Sequence, residues 1–512
     1  MLRTLIMSLA CTVLITACAR AQDDAVKAKE ENSAEAKQKP SEPRKYETTG
    51  SVVANGKTVR YAATAEETYI YNDKGEPRAS IFSTTYIASG FGDPTKRPVA
   101  FIYNGGPGSA SLWLHMGVFG PKRLHLPDGP DDDGAPPYEV TPNAQSILDV
   151  ADLVFIDPVG TGWSKALGET KPDDFWGVSE DAASLREFIR RWLVAHQRWN
   201  SPKYLIGESY GTTRSGALIN ELENGWTDIA VNGIVLISSV LNFSLDATDP
   251  GNDIGYVGLL PGYAAAAWYH EKVDRSQWSG DLQRFLAEAR AFATDDYMPA
   301  LLKGQLLGAD ARQQIIARMA SFTGLSEQYI SQANMRVSLG RFMRELMRDE
   351  GLTVGRLDSR FTGVEPDGVA EYPDDDPSAY GIDGAYTAAM LDYFGRELKV
   401  DISEPYVTLG GVRKWNWNTR KEGGGDNSYV NVAPYIERAM RQNKDLRVLS
   451  ANGYYDLATP FFGTEMTLAQ PAFDRKRLTI TYYDAGHMMY IHEPSLIKLT
   501  GDIRDFIAAG RQ

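Results

Sequence analysis

Cysteine is nearly absent. The 512 residues contain two, Cys11 and Cys18, both near the N-terminus. The body of the chain can therefore form no internal disulfide, use no thiolate nucleophile and build no cysteine zinc site. Its stability has to come from packing, which a chain of this length can supply. Positive charge is also in deficit: Lys and Arg number 53 against 67 Asp and Glu, a formal charge of −14. Phosphate binding needs a basic surface, so nucleic acid is not an expected partner. Histidine occurs six times, which leaves few candidates for a catalytic base. No internal repeat, cofactor loop or metal-ligand pattern is visible, and neither a cofactor nor a metal is expected. The longest apolar stretch at the start, Leu5 to Thr16, is too short to span a bilayer comfortably.

That stretch follows the basic start Met1-Leu2-Arg3, and residues 1–22 read as a signal peptide. Two processing sites overlap in it. Leu14-Ile15-Thr16-Ala17-Cys18 resembles a bacterial lipobox, which would leave Cys18 lipidated; Ala19 after it implies an outer-membrane address. Ala19-Arg20-Ala21 resembles an A-x-A cleavage site, which would release a soluble periplasmic protein. The only membrane contact expected is through such a lipid anchor. Residues 23–45 carry six acidic and six basic residues and no aromatics, so they cannot bury enough apolar surface to offset their ordering entropy. They read as a disordered tether.

Beyond it the pattern is that of an α/β protein. Residues 46–100 are strand-like, with turn signals at Asn55-Gly56, Asp73-Lys74-Gly75 and Asp93-Pro94. Short apolar runs then each lead into a polar segment. They are Val99–Tyr103, Leu153–Ile156, Tyr204–Ile206, Ile234–Ile237, Leu446–Leu449 and Leu478–Tyr482. The first four are apolar nearly throughout, as parallel strands covered on both faces require. The expected architecture is a mostly parallel central sheet with right-handed crossovers. Residues 46–240 and 414–512 form its two parts, and residues 241–413 are an inserted helical cap. Helices are expected at 180–196, 279–294, 310–322, 337–348 and 494–509. Ligands bind such sheets beyond the carboxyl ends of the strands, where the polar segments fall.

Gly207-Glu208-Ser209-Tyr210-Gly211 matches G-x-S-x-G, between a strand and a helix. Glycines flank a nucleophilic serine there because the strand-to-helix turn leaves no room for side chains. A serine hydroxyl needs a base and the base an orienting acid. Of the histidines, only His270, His487 and His492 follow Ser209. His487, just past a strand and before the last helix, has the placement the Ser–Asp–His order requires. His270 falls in the presumed cap, and His492 reads as a surface or capping residue. Asp456 follows the preceding strand. Its rival Asp484 is three residues from His487, a poor geometry for facing Nδ1. The oxyanion needs two N–H donors. One is the amide of Tyr210, and the other comes from the glycine loop Asn104-Gly105-Gly106-Pro107-Gly108.

These segments, with Asp157-Pro158-Val159-Gly160-Thr161-Gly162-Trp163-Ser164, Asn452-Gly453-Tyr454-Tyr455-Asp456 and Ala485-Gly486-His487-Met488, resemble the serine carboxypeptidase family. The resemblance implies an α/β-hydrolase fold with a helical cap, the triad Ser209, Asp456 and His487, and an oxyanion hole at the N–H groups of Gly106 and Tyr210. It implies peptide substrates, with Asn104, Gly105 and Glu208 at the terminal carboxylate and Trp113 and Met488 lining the leaving-residue pocket. Glu208 can face a carboxylate only by sharing a proton with it, which predicts better peptide binding at acidic pH. The chain departs from the family at Ile102, usually Trp, and Val118, usually a second Glu, so two members of the carboxylate-binding network are missing. Ser109 replaces a family cysteine, and the glutamine usual between Asp157 and Pro158 is absent. Strict recognition of a free C-terminus is the property these changes bear on. An acyltransferase or esterase on the same fold is the second expectation, and a catalytically silent binding protein the third. Arg214 reads either as positive charge for a substrate or as a salt bridge on the helix flank, and Trp415 and Trp417 as core. Oligomeric state is not readable.

Overall fold

A computed structural model of the chain describes residues 42–126, 134–223, 228–419 and 429–510. The expected signal peptide with Cys18, and the linker up to residue 41, lie outside them. The described chain opens on three antiparallel strands, β1 (Lys45–Ala54), β2 (Lys57–Tyr71) and β3 (Pro77–Ala88). β1 begins one residue before the expected edge of the core, and Arg44 just ahead of it pairs with Glu67 at 2.7 Å. Asn55 and Gly56 both take positive φ, 48° and 74°, as a two-residue hairpin turn requires.

Six further strands follow: β4 (Val99–Tyr103), β5 (Asp152–Ile156), β6 (Lys203–Ser209), β7 (Gly233–Ser239), β8 (Arg447–Gly453) and β9 (Leu478–Tyr483). Their spatial order is β1-β2-β3-β5-β4-β6-β7-β8-β9. Every neighbouring pair from β5 to β9 is parallel. All residues of β4, β5 and β7 are buried, which is why these strands read as unbroken apolar runs rather than alternating ones. This mostly parallel sheet, wrapped by helices, is an α/β-hydrolase fold.

The longer helices are α1 (Val178–Ala195), α2 (Tyr210–Leu222), α3 (Asp253–Tyr269), α4 (Leu282–Phe292), α5 (Ala309–Thr323), α6 (Asp383–Arg396), α7 (Ala433–Gln442) and α8 (Glu493–Ala509). α1, α2 and α7 cover one face of the sheet. α6 and α8 cover the other. α3, α4 and α5 form a separate apolar cluster that includes Phe285, Phe292 and Phe322 and reaches Tyr454, Tyr455 and Leu457, just beyond the end of β8. The helical region thus stands over the strand ends. Among the described residues no helix is long and apolar enough to cross a membrane.

Some elements differ from expectation. α4 starts at Leu282 rather than Ser279, because Ser279 is left-handed (φ 56°) and the Asp281 side chain accepts the N–H groups of Gln283 and Arg284. The helix expected at 337–348 is shorter, Leu339–Glu345. α6 falls inside the expected cap, yet Tyr386, Tyr393 and Phe394 pack with Ile102 and Phe155 of the sheet. A small antiparallel ribbon, Leu352–Val354 with Thr362–Val364, also interrupts the helices.

Candidate active site

β6 ends at Ser209 and α2 begins at Tyr210. Ser209 has φ 60° and ψ −130°, a sparsely populated conformation that costs on the order of 1–3 kcal/mol. A side chain at Gly207 would collide with the carbonyl oxygen of Gly211. The tight crossing of strand and helix holds the serine in this conformation, beside a pocket of about 280 Å³. Ser209 shares the pocket lining with His487, Asn104, Gly105, Gly106, Glu208, Trp113 and Met488.

His487 lies on the loop between β9 and α8 and is buried. Its Nδ1 is 2.8 Å from Oδ2 of Asp456. Asp456 is locked in turn: Oδ1 accepts the N–H of Ala458 (2.8 Å) and Thr459 (2.9 Å), and Oδ2 accepts the hydroxyl of Thr459 (2.7 Å). Burial pulls the His487 imidazole down, but the Asp456 carboxylate more than offsets this and leaves it above its ordinary value. Asp484 does not take this role; its carbonyl accepts a bond from Arg360. The other histidines are occupied elsewhere. His270 Nε2 is 2.6 Å from the carbonyl of Ser359, and His492 Nδ1 is 2.8 Å from the hydroxyl of Ser495 at the start of α8. The His487 loop is clamped through its backbone. The N–H of His487 donates to Leu357 O at 2.6 Å, the N–H of Gly486 to Asp358 at 2.9 Å, and Ser238 donates to His487 O at 2.6 Å.

The glycine loop rests directly on the elbow. A Cβ added at Gly105 would lie 2.5 Å from the backbone N of Tyr210 and 2.7 Å from the carbonyl of Glu208. Gly106 has φ 100° and faces the pocket. The Tyr210 ring is not part of the pocket lining; it stands edge-on to Trp415 at 5.2 Å and Trp417 at 5.9 Å. The Tyr210 N–H opens a helix, where amides lack intrahelical partners. Gly105→Ala is therefore expected to push the loop off the elbow and lower kcat by about 10²–10³-fold with the fold retained. Steady-state kinetics beside a circular dichroism spectrum checks this.

Arg214 takes the second of its two readings, from a buried position. Its side chain has 0% exposure; Nε is 2.6 Å from Asp181 of α1, and a second nitrogen donates to the carbonyl of Asn104. It joins α1, α2 and the glycine loop. Removing one partner of such a pair costs about 3–5 kcal/mol, because the other charge stays buried. Trp415 is partly buried against the core, whereas Trp417 is 43% exposed.

Glu208 is buried at the back of the pocket. Asn104 donates to it through Nδ2, and Tyr490 donates to its carboxylate, with 3.0 Å to each oxygen. Burial pushes its carboxyl up to about 7. Ile102 and Val118 are both fully buried. Tyr490 escaped sequence reasoning because a tyrosine three residues past a histidine carries no pattern. Thr459 could have been found from the Asp-x-x-Thr turn, which resembles a side-chain cap. Arg356 and Asp376, which also line the pocket, come from irregular segments of the insertion, and Asp383 opens α6. Among the described residues no group of three or more His, Cys, Asp and Glu side chains is placed to hold a metal ion.

The family model for serine carboxypeptidase matches residues 65–332, just over half of the chain. The chain belongs to the serine carboxypeptidase family. Two curated relatives from Arabidopsis thaliana resemble it over shorter stretches. Serine carboxypeptidase-like 5 is 28% identical over 163 residues, 30% of this chain and 35% of its own length. Serine carboxypeptidase-like 2 is 29% identical over 164 residues, again 30% and 35%. The chain thus spans about a third of the length of the curated relatives it matches. Among solved structures, a prohormone-processing carboxypeptidase from Saccharomyces cerevisiae aligns over 88% of this chain and 92% of its own, with 14% identity and a TM-score of 0.49. The matched region of the family model includes the glycine loop and the elbow. Asp456 and His487 lie beyond it.

Proposed function

We propose that this protein is a serine-type carboxypeptidase that removes residues from peptide C-termini through an acyl-enzyme on Ser209. The observation that carries this reading is the buried His487–Asp456 pair, whose histidine lines the same pocket as a serine held at a strained elbow. His487 Nε2 takes the Ser209 proton as Oγ attacks the scissile carbonyl, and Asp456 keeps the imidazole in the tautomer with Nδ1 protonated. The N–H groups of Gly106 and Tyr210 receive the oxyanion. His487 then gives its proton to the leaving amine, the C–N bond breaks, and the C-terminal residue departs. Water, deprotonated by the same imidazole, hydrolyses the ester and restores Ser209.

Asn104, Gly105 and Glu208 hold the terminal carboxylate, with Trp113 and Met488 around the leaving side chain. Protonated Glu208 donates to that carboxylate, so binding is favoured at acidic pH. The lipobox-like run ending at Cys18 supports export and attachment to the outer membrane by a lipid, with release as a soluble periplasmic protein if cleavage follows Ala21. One observation favours a second reading, an esterase or acyltransferase. Tyr490 and Asn104 already occupy the Glu208 oxygens, and Ile102 and Val118 offer no replacement, so an uncharged acyl donor would fit the pocket as well. Both readings use the same acyl-enzyme, and a silent binding protein would have no use for the strained serine. N-blocked peptides and their C-terminal amides separate them: release of single C-terminal amino acids is expected, and cleavage of aryl esters alone would contradict the peptidase reading.

A further inference from the structure

The loop joining the two strands of the Leu352–Val354/Thr362–Val364 ribbon enters the active-site pocket from the insertion. Arg356 lies in it. Its backbone is fixed on both sides: its N–H donates to Asp376 at 2.9 Å, and its carbonyl accepts the N–H of Leu457, next to Asp456, at 3.1 Å. The following carbonyl, Leu357, accepts the N–H of His487. One short turn is thereby tied to both the acid and the base loops. Arg356 lines the pocket with Ser209, and among the described residues it is the one arginine or lysine there. Its guanidinium has no ion pair or hydrogen bond among those residues. Asp358, the acid in the same turn, is paired with Arg360, and the buried Asp246 carboxyl feels the Arg356 charge without an ion pair to it. Asp376, outside the turn, does not neutralise Arg356 through its side chain either. The oxygens of Asp376 accept the N–H groups of Arg356, Leu357 and Ser378 instead.

Among the described residues the rest of the pocket lining carries no arginine or lysine. Glu208 is acidic and already bonded to Tyr490 and Asn104, and Ile102 and Val118 are fully buried and supply no polar group. A substrate carboxylate entering this pocket would meet Glu208, Asp376 and Asp383, with Arg356 the one guanidinium in the lining and His487 the other group able to carry positive charge. A guanidinium held by its backbone, with its planar fork of donors free, is the group that recognises a carboxylate with the least ordering cost. We propose that Arg356 anchors a carboxylate on the leaving-residue side of the substrate, either the α-carboxylate or an acidic side chain. The assignment rests on the peptidase reading for which end of the substrate it faces.

Binding to the Ser209→Ala protein tests this without turnover. Three N-blocked dipeptides are titrated calorimetrically at pH 5.5: one ending in a free Leu acid, the same as its amide, and one ending in a Glu amide. At least one carboxylate-bearing peptide is expected to bind more tightly than the Leu amide. Adding Arg356→Gln should remove about tenfold of that affinity and leave the amide unchanged, while Arg356→Lys keeps most of it. Loss confined to the Leu acid identifies the α-carboxylate, and loss confined to the Glu amide identifies the side chain. Equal weakening of acid and amide, or no preference for any carboxylate, would overturn the assignment. Wild-type protein that binds the acid through Arg356 yet cleaves no peptide would refute the peptidase reading alone.

Discussion

Ser209→Ala and His487→Ala should each lower kcat by about 10⁵–10⁶-fold, and Asp456→Asn by about 10⁴-fold, with the fold intact. The difference follows from the geometry. In the proposed mechanism Ser209 and His487 carry the bond-making and proton-transfer steps, whereas Asp456 acts only through Nδ1 of His487, 2.8 Å away. Its loss leaves an imidazole free to adopt the wrong tautomer but still present. The three side chains form one unit, so the double variant Ser209→Ala/His487→Ala should be hardly worse than either single one. Steady-state and single-turnover kinetics measure these losses, and thermal unfolding confirms that the variants fold. Ser209→Ala should be no less stable than wild type, because alanine removes no buried hydrogen bond essential to the elbow. A parent-like kcat in any of the three would remove that residue from the mechanism.

The second large effect is on pH. The Glu208 carboxyl is pushed up to about 7 by burial. Below that it is protonated and can donate to a substrate carboxylate; above it the anion repels one. KM for peptide acids is therefore expected to rise as pH increases through 7, reaching about tenfold at pH 8 over pH 5.5, since each unit beyond the pKa costs a factor of ten in the protonated form. Peptide amides and esters lack the second charge and should show no such rise. Glu208→Gln, neutral at every pH, should flatten the acid profile. Ionisation of His487 works in the opposite direction. Its raised imidazole must lose a proton before it can act as base, so kcat falls on the acid side. A peptide acid should then show a bell in kcat/KM, and an ester only the ascending limb. A KM for peptide acids that stays flat from pH 5.5 to 8 would contradict the role of Glu208.

Much of this was legible in the sequence because it depends on local pattern. β4, β5 and β7 are apolar throughout because both faces of each are covered, and continuous runs are what such strands produce. The elbow was legible for a similar reason: the serine conformation needs small neighbours on either side, and Gly207 and Gly211 supply them. The order Ser209, Asp456, His487 placed the candidate acid and base just past successive strands, and Asp456 and His487 do follow β8 and β9. What was not legible depends on contacts between distant segments. Tyr490 meets Glu208 across 282 residues, and Arg356 reaches the pocket from an irregular turn without periodicity. α6 read as part of the insertion because it lies there in the chain, yet its aromatic face belongs to the sheet. The start of α4 was misplaced by three residues because Asp281, rather than the turn residues ahead of it, provides the cap.

The central claim is that Ser209 is the nucleophile activated by the His487–Asp456 pair. Mass-spectrometric mapping of the intact protein after reaction with a fluorophosphonate tests it most directly. The account predicts one adduct, on the Ser209 hydroxyl, formed far more slowly in His487→Ala and absent in Ser209→Ala. An adduct on another serine, or equal labelling of the wild type and the His487 variant, would contradict it.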